Sequence, residues 1–299
     1  TAGSGAQTGS EQTSGETEPE APVDTELPLP PADLATRLWA VGGEGIGPGL
    51  FNDARLVGVD ASGVIYVCEF TSDEPTRVQR FAADGSFIGQ WFTVDEPIVN
   101  DMVVDRNGKL YLLQSGPIFM YDGASGSKLG ILELPTYSDS PQALALTPDN
   151  GLLSVGINQI LRFNAAGQVV LDVRDTVDPV LDNAFFLDRA TMDGLSNMYF
   201  IATADPTIYK YDAQGVFQDR IGTEGDGVGQ FDTFPGAIAV DGRGRIYADD
   251  FDGIEVFEPN GVSRGLIPGT TAAMVISAQN ELIVVDGNES KLIKYQLAP

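Results

Sequence analysis

The side chains that could carry chemistry in this sequence are almost all carboxylates. The 299 residues include 43 Asp and Glu but no His, and Cys68 is the single cysteine. Without His, a Ser-His-Asp triad, a His-ligated metal and the usual general base near neutral pH are excluded. Cys68 follows an apolar run at positions 64–67, which predicts a buried, inert thiol rather than a nucleophile.

The abundance of carboxylates narrows the classes of function. A pair of them at the spacing of a glycoside hydrolase will arise by chance, so that pattern has no specificity here. The net charge of −26 at pH 7 repels phosphates and therefore argues against nucleic-acid binding. No apolar run approaches the ~20 residues that a membrane-spanning helix needs.

Residues 1–36 differ from the rest of the chain. They contain no Lys or Arg, seven acidic residues, and mostly Gly, Ser, Thr, Glu and Pro. Such a segment buries too little apolar surface to offset the entropy lost on ordering. We predict a flexible acidic tether, which would fit a protein outside the cytoplasm whose lipidated residue precedes Thr1.

From residue 37 to residue 299 the chain repeats. One short apolar strand, a tight turn and a second apolar strand recur six times, with landmarks 36 to 48 residues apart. The landmark positions are Asp60, Asp105, Thr147, Asp193, Asp241 and Ser277. This period is typical of propeller blades, whose period is about 40–50 residues. The recurring Asp residues indicate hairpin-turn chemistry rather than a catalytic set.

Two further strands complete each repeat. The third strand ends in an aromatic residue, and a glycine turn leads to the fourth strand. The sixth repeat stops after its third strand, at Tyr295, whereas residues 38–41 precede the first repeat. We therefore predict an all-β, six-bladed β-propeller of four-stranded antiparallel blades, whose last blade is closed by the N-terminal strand.

Two glycine-rich segments are the clearest pair of repeats. Glycines at 42, 45, 47 and 49 precede Phe51, and glycines at 222, 225, 227 and 229 precede Phe231. Together with the Asp-x-x-Gly-x-Ile-Tyr turns, this pattern resembles the NHL-repeat family. The resemblance implies the six-bladed fold but no single function, because the family includes RNA-binding, sensor and protein-interaction propellers, with lyases and lactonases among its relatives.

A propeller presents the loops between second and third strands on one face, together with the crossings between blades. Acidic residues crowd this predicted face, and Arg55, Arg77 and Arg189 are its few cations. We predict that these loops bind a protein partner through Glu69, Asp73, Asp226, Asp249, Asp250, Asp252 and Asp286.

The resemblance also implies an alternative. Lactonases and gluconolactonases of this fold use calcium held by Glu, Asp and Asn, and calcium takes six to eight oxygen ligands. In this sequence the donors would be Glu69, Asp101, Asp249, Asp250 and Asp286. Residues 249–253 come nearest to a calcium-loop spacing but do not match it.

The prediction from the sequence is a non-catalytic scaffold outside the cytoplasm, without a cofactor. It would bind protein partners, including subunits of a larger membrane-associated complex. The calcium-dependent hydrolase is the alternative, which a convergent set of carboxylates at the channel would favour.

Overall fold

A computed structural model describes residues 1, 34–70, 75–94, 98–181, 187–203 and 205–299. The fold belongs to the compact unit Pro31–Pro299. The predicted tail lies almost wholly outside the described residues. Leu34 is buried, and the first strand begins at Ala35.

The described residues form six four-stranded antiparallel sheets, which are the blades of a β-propeller. The strand that opens the chain is β1 (Ala35–Gly42). Blade 1 contains β2 (Ala54–Val59), β3 (Ile65–Glu69), β4 (Arg77–Phe81) and β5 (Phe87–Phe92). Blade 2 contains β6 (Asp101–Val104), β7 (Lys109–Leu113), β8 (Ile118–Asp122) and β9 (Lys128–Ile131). Blade 3 contains β10 (Ala143–Leu146), β11 (Leu152–Val155), β12 (Gln159–Phe163) and β13 (Val169–Arg174).

The second half of the chain repeats this order after a 3₁₀ turn at Asp178–Val180. Blade 4 contains β14 (Leu187–Met192), β15 (Met198–Ala202), β16 (Asp205–Tyr211) and β17 (Phe217–Ile221). Two short parallel strands follow, β18 (Thr223–Glu224) and β19 (Gln230–Phe231). Blade 5 contains β20 (Ile238–Val240), β21 (Ile246–Asp250), β22 (Gly253–Phe257) and β23 (Ser263–Pro268). Blade 6 contains β24 (Ala273–Ile276), β25 (Glu281–Asp286) and β26 (Lys291–Leu297).

The N-terminal strand completes blade 6, as the sequence predicts. β1 pairs antiparallel with β26 from Ala35 opposite Leu297 to Gly42 opposite Lys291. Ala298 N extends the pairing by donating to Leu34 O at 2.9 Å. The inner strand of each blade contacts the inner strand of the next, and β24 contacts β2, so the ring of blades closes.

Six apolar clusters hold neighbouring blades together. The cluster between blades 1 and 2, for example, packs Cys68 and Trp91 against Leu112 and Tyr121. Trp91 stacks on Tyr121 with ring centroids 5.4 Å apart. Burial, together with the adjacent Glu69, raises the pKa of the Cys68 thiol, in keeping with the predicted inert cysteine.

The landmark Asp residues organise the hairpin turns between first and second strands. Asp60 Oδ1 accepts hydrogen bonds from Ser62 N at 2.9 Å and Val64 N at 3.0 Å. Asp60 Oδ2 accepts one from the hydroxyl of Tyr66 at 3.2 Å. The same Tyr-to-Asp bond recurs at Asp193 and Asp241. These are the bonds that turn chemistry predicts.

Candidate functional site

Glu69, a predicted site residue, lies at the end of β3 and is buried in an ion pair with Arg77. Its Oε1 accepts from Arg77 Nη2 at 2.8 Å and from Asn52 N at 2.9 Å. The Arg77 guanidinium also donates to the carbonyls of Ile46 at 2.6 Å and Leu50 at 2.9 Å. Glu69 and Arg77 therefore clamp residues 42–53, the first glycine crossing.

Asp286 occupies in blade 6 the position that Glu69 occupies in blade 1, and it accepts hydrogen bonds from its own loop. Its Oδ1 accepts from Thr270 Oγ1 at 2.6 Å, from Asn288 N at 2.9 Å and from Glu289 N at 2.8 Å. Asp286 is buried. It therefore orders the loop that follows β25. Asp73 lies outside the described residues.

Asp250, the counterpart of Glu69 in blade 5, holds residues 222–233, the second glycine crossing. Its Oδ1 accepts from Asp232 N at 2.9 Å and Thr233 N at 3.4 Å. Asp232 is exposed, and partial desolvation by its neighbours, with repulsion from Asp250, Asp226 and Asp252, raises the pKa of Asp232. No ion pair between described residues includes any of these four acids.

Exposed aromatic residues lie among these acids. Phe251 follows Asp250 in sequence, and Phe234 follows Thr233, so both flank the hydrogen-bonded seam between Asp232 and Asp250. Phe251 is 69% exposed and Phe234 is 54% exposed. We call Asp226, Asp232, Asp250, Asp252, Phe234 and Phe251 the blade-5 acidic surface.

The six inner strands enclose a cavity of about 300 Å³ along the propeller channel. Apolar side chains such as Val59, Val104, Leu146, Val240 and Ile276 line it. The charged residues of its lining are Asp101, Arg106, Arg189 and Asp193, of which Asp101 and Arg189 lie near the starts of the inner strands β6 and β14.

We call Asp101, Asp188, Arg189 and Asp249, with Gly236 among them, the channel mouth. Arg189 Nη1 donates to Asp188 Oδ1 at 3.1 Å and to Asp188 O at 2.6 Å. It also lies 3.5 Å from Asn100 O, so the side chain reaches from blade 4 towards blade 2. Asp101 is buried and its oxygens accept from Met102 N at 2.8 Å and Leu144 N at 2.7 Å.

Asp249 is a carboxyl group of the channel mouth with a strongly shifted pKa. Burial, reinforced by Asp188, raises its pKa to about 6, against the effect of the backbone N–H groups of Ala237 and Gly236. Both groups donate to Asp249 Oδ1 at 2.6 Å. Burial raises the pKa of Asp101 as well, and Arg189 opposes that shift. A carboxylate with such a pKa is a mark of functional sites.

The five predicted calcium donors belong to four different blades. Glu69 is engaged with Arg77, Asp101 with two backbone amides, and Asp286 with its own loop. Within the described ranges no three or more Asp, Glu or Cys side chains form a group that could hold a metal ion. These residues therefore do not fit a calcium site, and no chemistry is derived through one.

Asp188 and Gly236 were not predicted from the sequence as parts of the channel mouth. The repeats do carry a signal for their neighbour Asp249, at the position eight residues after each landmark. Its occupants are Cys68, Leu113, Val155, Ile201, Asp249 and Val285. Five are buried apolar residues or cysteine, so Asp249 stands out as the one acid in that row.

Comparisons with known proteins identify the class of fold. No protein-family description matches the chain, and neither does any curated protein. A structure of streptogramin B lyase superposes with a TM-score of 0.58 at 10% identity, covering 88% of this chain and 98% of that one. A protein of unknown function from Bacteroides thetaiotaomicron gives 0.62 at 16% identity, covering 89% and 76%. The WD40 β-propeller domain of Doa1 gives 0.56 at 10% identity, covering 84% and 80%.

At such identities the similarity shows the fold alone. The chain is a six-bladed β-propeller, which confirms the predicted architecture. Membership of the NHL family stays a prediction. In the part of the chain that is described, no helix is long and apolar enough to cross a membrane.

Proposed function

We propose that this propeller is a non-catalytic binding protein that engages a Lys- and Arg-rich protein segment through the blade-5 acidic surface. One observation carries the proposal: four carboxylates and two exposed phenylalanines gather around a single crossing. Large exposed aromatics rimmed by charge mark protein-interaction sites. A location outside the cytoplasm and a tethered N-terminus remain part of this proposal, supported by the composition of residues 1–36 and the net charge.

The acids of the blade-5 acidic surface repel one another, and a cationic partner would relieve that repulsion. The raised pKa of Asp232 is consistent with this repulsion, which adds to partial desolvation of the exposed carboxyl group. Complementary charges mainly accelerate association, and screening by salt weakens them. Phe234 and Phe251 would add apolar contact area in the centre of the acids. A partner that alternates basic and apolar residues would satisfy both features.

The test uses the full chain and three labelled peptides, read by fluorescence anisotropy. The peptides alternate Lys with Leu, Lys with Ser, and Glu with Leu. We expect the Lys–Leu peptide to bind tightest, the Lys–Ser peptide more weakly, and the Glu–Leu peptide not at all. Raising the salt concentration should slow association of both Lys peptides.

Two matched triple variants distinguish binding at the blade-5 acidic surface from attraction to the overall negative charge of the protein. The variant Asp226→Asn, Asp232→Asn, Asp252→Asn should weaken Lys–Leu binding about 3- to 150-fold, at 0.2–1 kcal/mol for each of three surface charge pairs. The control Glu133→Gln, Asp175→Asn, Asp219→Asn removes equal charge from exposed sites elsewhere. Equal losses in the two triples would overturn the proposal. Phe234→Ser with Phe251→Ser should weaken the Lys–Leu peptide alone.

The calcium-dependent hydrolase has no such observation in its favour among the described residues. Of the predicted donors, Glu69, Asp250 and Asp286 hold the glycine crossings and a loop, and Asp101 and Asp249 accept backbone N–H groups at the channel mouth. We therefore advance no second function for the loop face.

A further inference from the structure

We propose that the channel mouth is a separate binding site for the protonated amine of a small molecule whose apolar body enters the channel. The site is built around Gly236, which precedes the cavity-lining residue Ala237. A Cβ on Gly236 would lie 3.7 Å from Asp188 Oδ2 and 3.8 Å from Asp249 Oδ2. The two oxygens thus border the same small space beside Gly236.

Both carboxylates are held so that one oxygen faces this space. Asp249 Oδ1 is occupied by the N–H groups of Gly236 and Ala237. Asp188 Oδ1 is occupied by Arg189 Nη1. The remaining oxygens, Asp188 Oδ2 and Asp249 Oδ2, are the ones next to Gly236. Acceptors fixed in advance in this way favour a ligand with several donors on one atom.

An alkylammonium group matches these acceptors. It carries three N–H donors and one positive charge, and it is compact enough to lie between two carboxylates. Arg189 neutralises part of the charge of Asp188. Burial disfavours the charged form of Asp249, and no ion pair among the described residues includes Asp249. A divalent metal would need more oxygen donors than this pair, and the described residues supply no larger group.

The cavity beneath the channel mouth suits the rest of such a ligand. Its volume of about 300 Å³ equals the smaller ligand cavities in proteins, which span about 300–1,000 Å³. Its walls are apolar at the level of Val104, Leu146 and Ile276. An alkyl or aryl chain would therefore be buried there while the amine stays at the rim.

Asp249 itself indicates that the channel mouth is more than a structural feature. The other five blades place a buried apolar residue or cysteine at this position, so the fold does not require an acid there. A charge that burial opposes is retained chiefly where a function needs it. The amine of a ligand supplies that function in this proposal.

The experiment titrates the full chain with hexylamine, hexanol and hexanoate, followed by calorimetry at neutral pH. The three probes share their tail and differ in the polar group. We expect binding of hexylamine and none of comparable affinity for the others. Preferential binding of hexanoate would show that Arg189 dominates binding at the channel mouth. Equal binding of hexanol would show that the apolar cavity alone determines the affinity. Either result overturns the proposal.

Two variants test the geometry, each checked for folding by thermal unfolding. Asp249→Asn should weaken hexylamine binding by about 10- to 100-fold, the range for a hydrogen bond to a charged group. Gly236→Ala meets only ordinary contact distances and needs no unusual backbone angle, yet its methyl group fills the space between the carboxylates. It should remove binding while leaving the fold intact.

Asp252→Asn is the matched control, since it removes a nearby exposed acid of the blade-5 acidic surface. It should leave hexylamine binding unchanged. A folded Gly236→Ala protein with full affinity would contradict the proposal, as would an Asp252→Asn loss equal to that of Asp249→Asn. Neither outcome bears on the Lys–Leu peptide, so the two proposals can fail separately.

Discussion

The two glycine crossings share a backbone and differ in charge. Gly45 N donates to Phe51 O at 2.9 Å, and Gly225 N donates to Phe231 O at 3.1 Å. Both phenylalanine rings are fully buried. In the first crossing, a Cβ on Gly42 would lie 2.6 Å from the ring of Phe51, and Gly222 is crowded in the same way by Phe231. Glycine and a buried ring thus determine the path of both segments.

The side chains that hold the crossings have diverged. In blade 1 the carboxylate of Glu69 is neutralised by Arg77, and the neutral Gln79 bonds Gly49 N and Leu50 O, both at 2.8 Å. In blade 5 the corresponding residues are Asp250, Gly253 and Glu255. No side chain, cationic or neutral, fits at Gly253, because a Cβ there would clash with the carbonyl oxygen of Ile267.

This difference separates what the fold needs from what it tolerates. One crossing keeps its path with a buried ion pair, and the other keeps it with acids alone. The accumulation of Asp226, Asp232, Asp250 and Asp252 is therefore not a requirement of the backbone. That independence is why we assign binding to blade 5 and a structural role to blade 1.

The largest expected effect is loss of the clamp in blade 1. Arg77→Met leaves the buried Glu69 without its paired cation and removes the hydrogen bonds that Arg77 donates to the carbonyls of Ile46 and Leu50. Breaking a buried pair in this way costs about 3–5 kcal/mol of unfolding free energy. Denaturant unfolding of the variant measures that loss.

Arg55→Met is the matched control for the clamp. Arg55 pairs with Asp53 in the same crossing, but its side chain is about half exposed. Exposed pairs contribute about 0–1 kcal/mol. If the two variants lost equal stability, the first glycine crossing would not depend on its buried pair, and the contrast with blade 5 would lapse.

The next effect is a gain of stability in blade 5. Asp249→Asn keeps an oxygen for Gly236 N and Ala237 N but removes the charge that burial disfavours. The pKa of Asp249 is about 6 in the folded protein in place of 3.8, and each unit corresponds to about 1.4 kcal/mol. The variant should therefore gain about 2–3 kcal/mol of unfolding free energy at pH 7 to 8. Thermal unfolding of both proteins measures it.

The dependence of this gain on pH has a definite sign. Folded Asp249 holds its proton more tightly than unfolded Asp249, so folding of the parent chain weakens as pH rises from about 4 through about 6. The variant lacks that loss, and the two stabilities should converge near pH 4. Asp188 is the acid whose repulsion adds to this shift, Arg189 pairs with Asp188, and Asp250 follows Asp249 in sequence. A gain that stayed constant over pH would contradict the charge as its cause.

The sequence predicted the blades because their determinants are local. The turn at Asp60 and the pairing of residues 35–42 with 291–297 depend on spacing that a repeat makes visible. The sites were harder. Glu69 was predicted to be a binding residue, although the partner that neutralises it, Arg77, begins the next strand. Arg189 meets Asn100 O across 89 residues, and no local pattern reveals such a contact between inner strands.

The smallest expected effect comes from exchanging a carboxylate oxygen for an amide nitrogen between the two crossings. Glu255 is buried and accepts from Ser263 Oγ at 3.1 Å, and burial raises its pKa. Glu255→Gln would restore the amide that Gln79 offers in blade 1, whose Nε2 donates to a crossing carbonyl. One added neutral hydrogen bond stabilises by about 1 kcal/mol. The gain should be larger at pH 7 than at pH 4, where Glu255 holds its proton more readily.

The reciprocal Gln79→Glu should destabilise blade 1 by a similar amount in urea unfolding. If both exchanges left the free energy of unfolding unchanged, Gln79 and Glu255 would be equivalent. The charge of the second crossing would then cost no stability, and a binding function would not be needed to explain it.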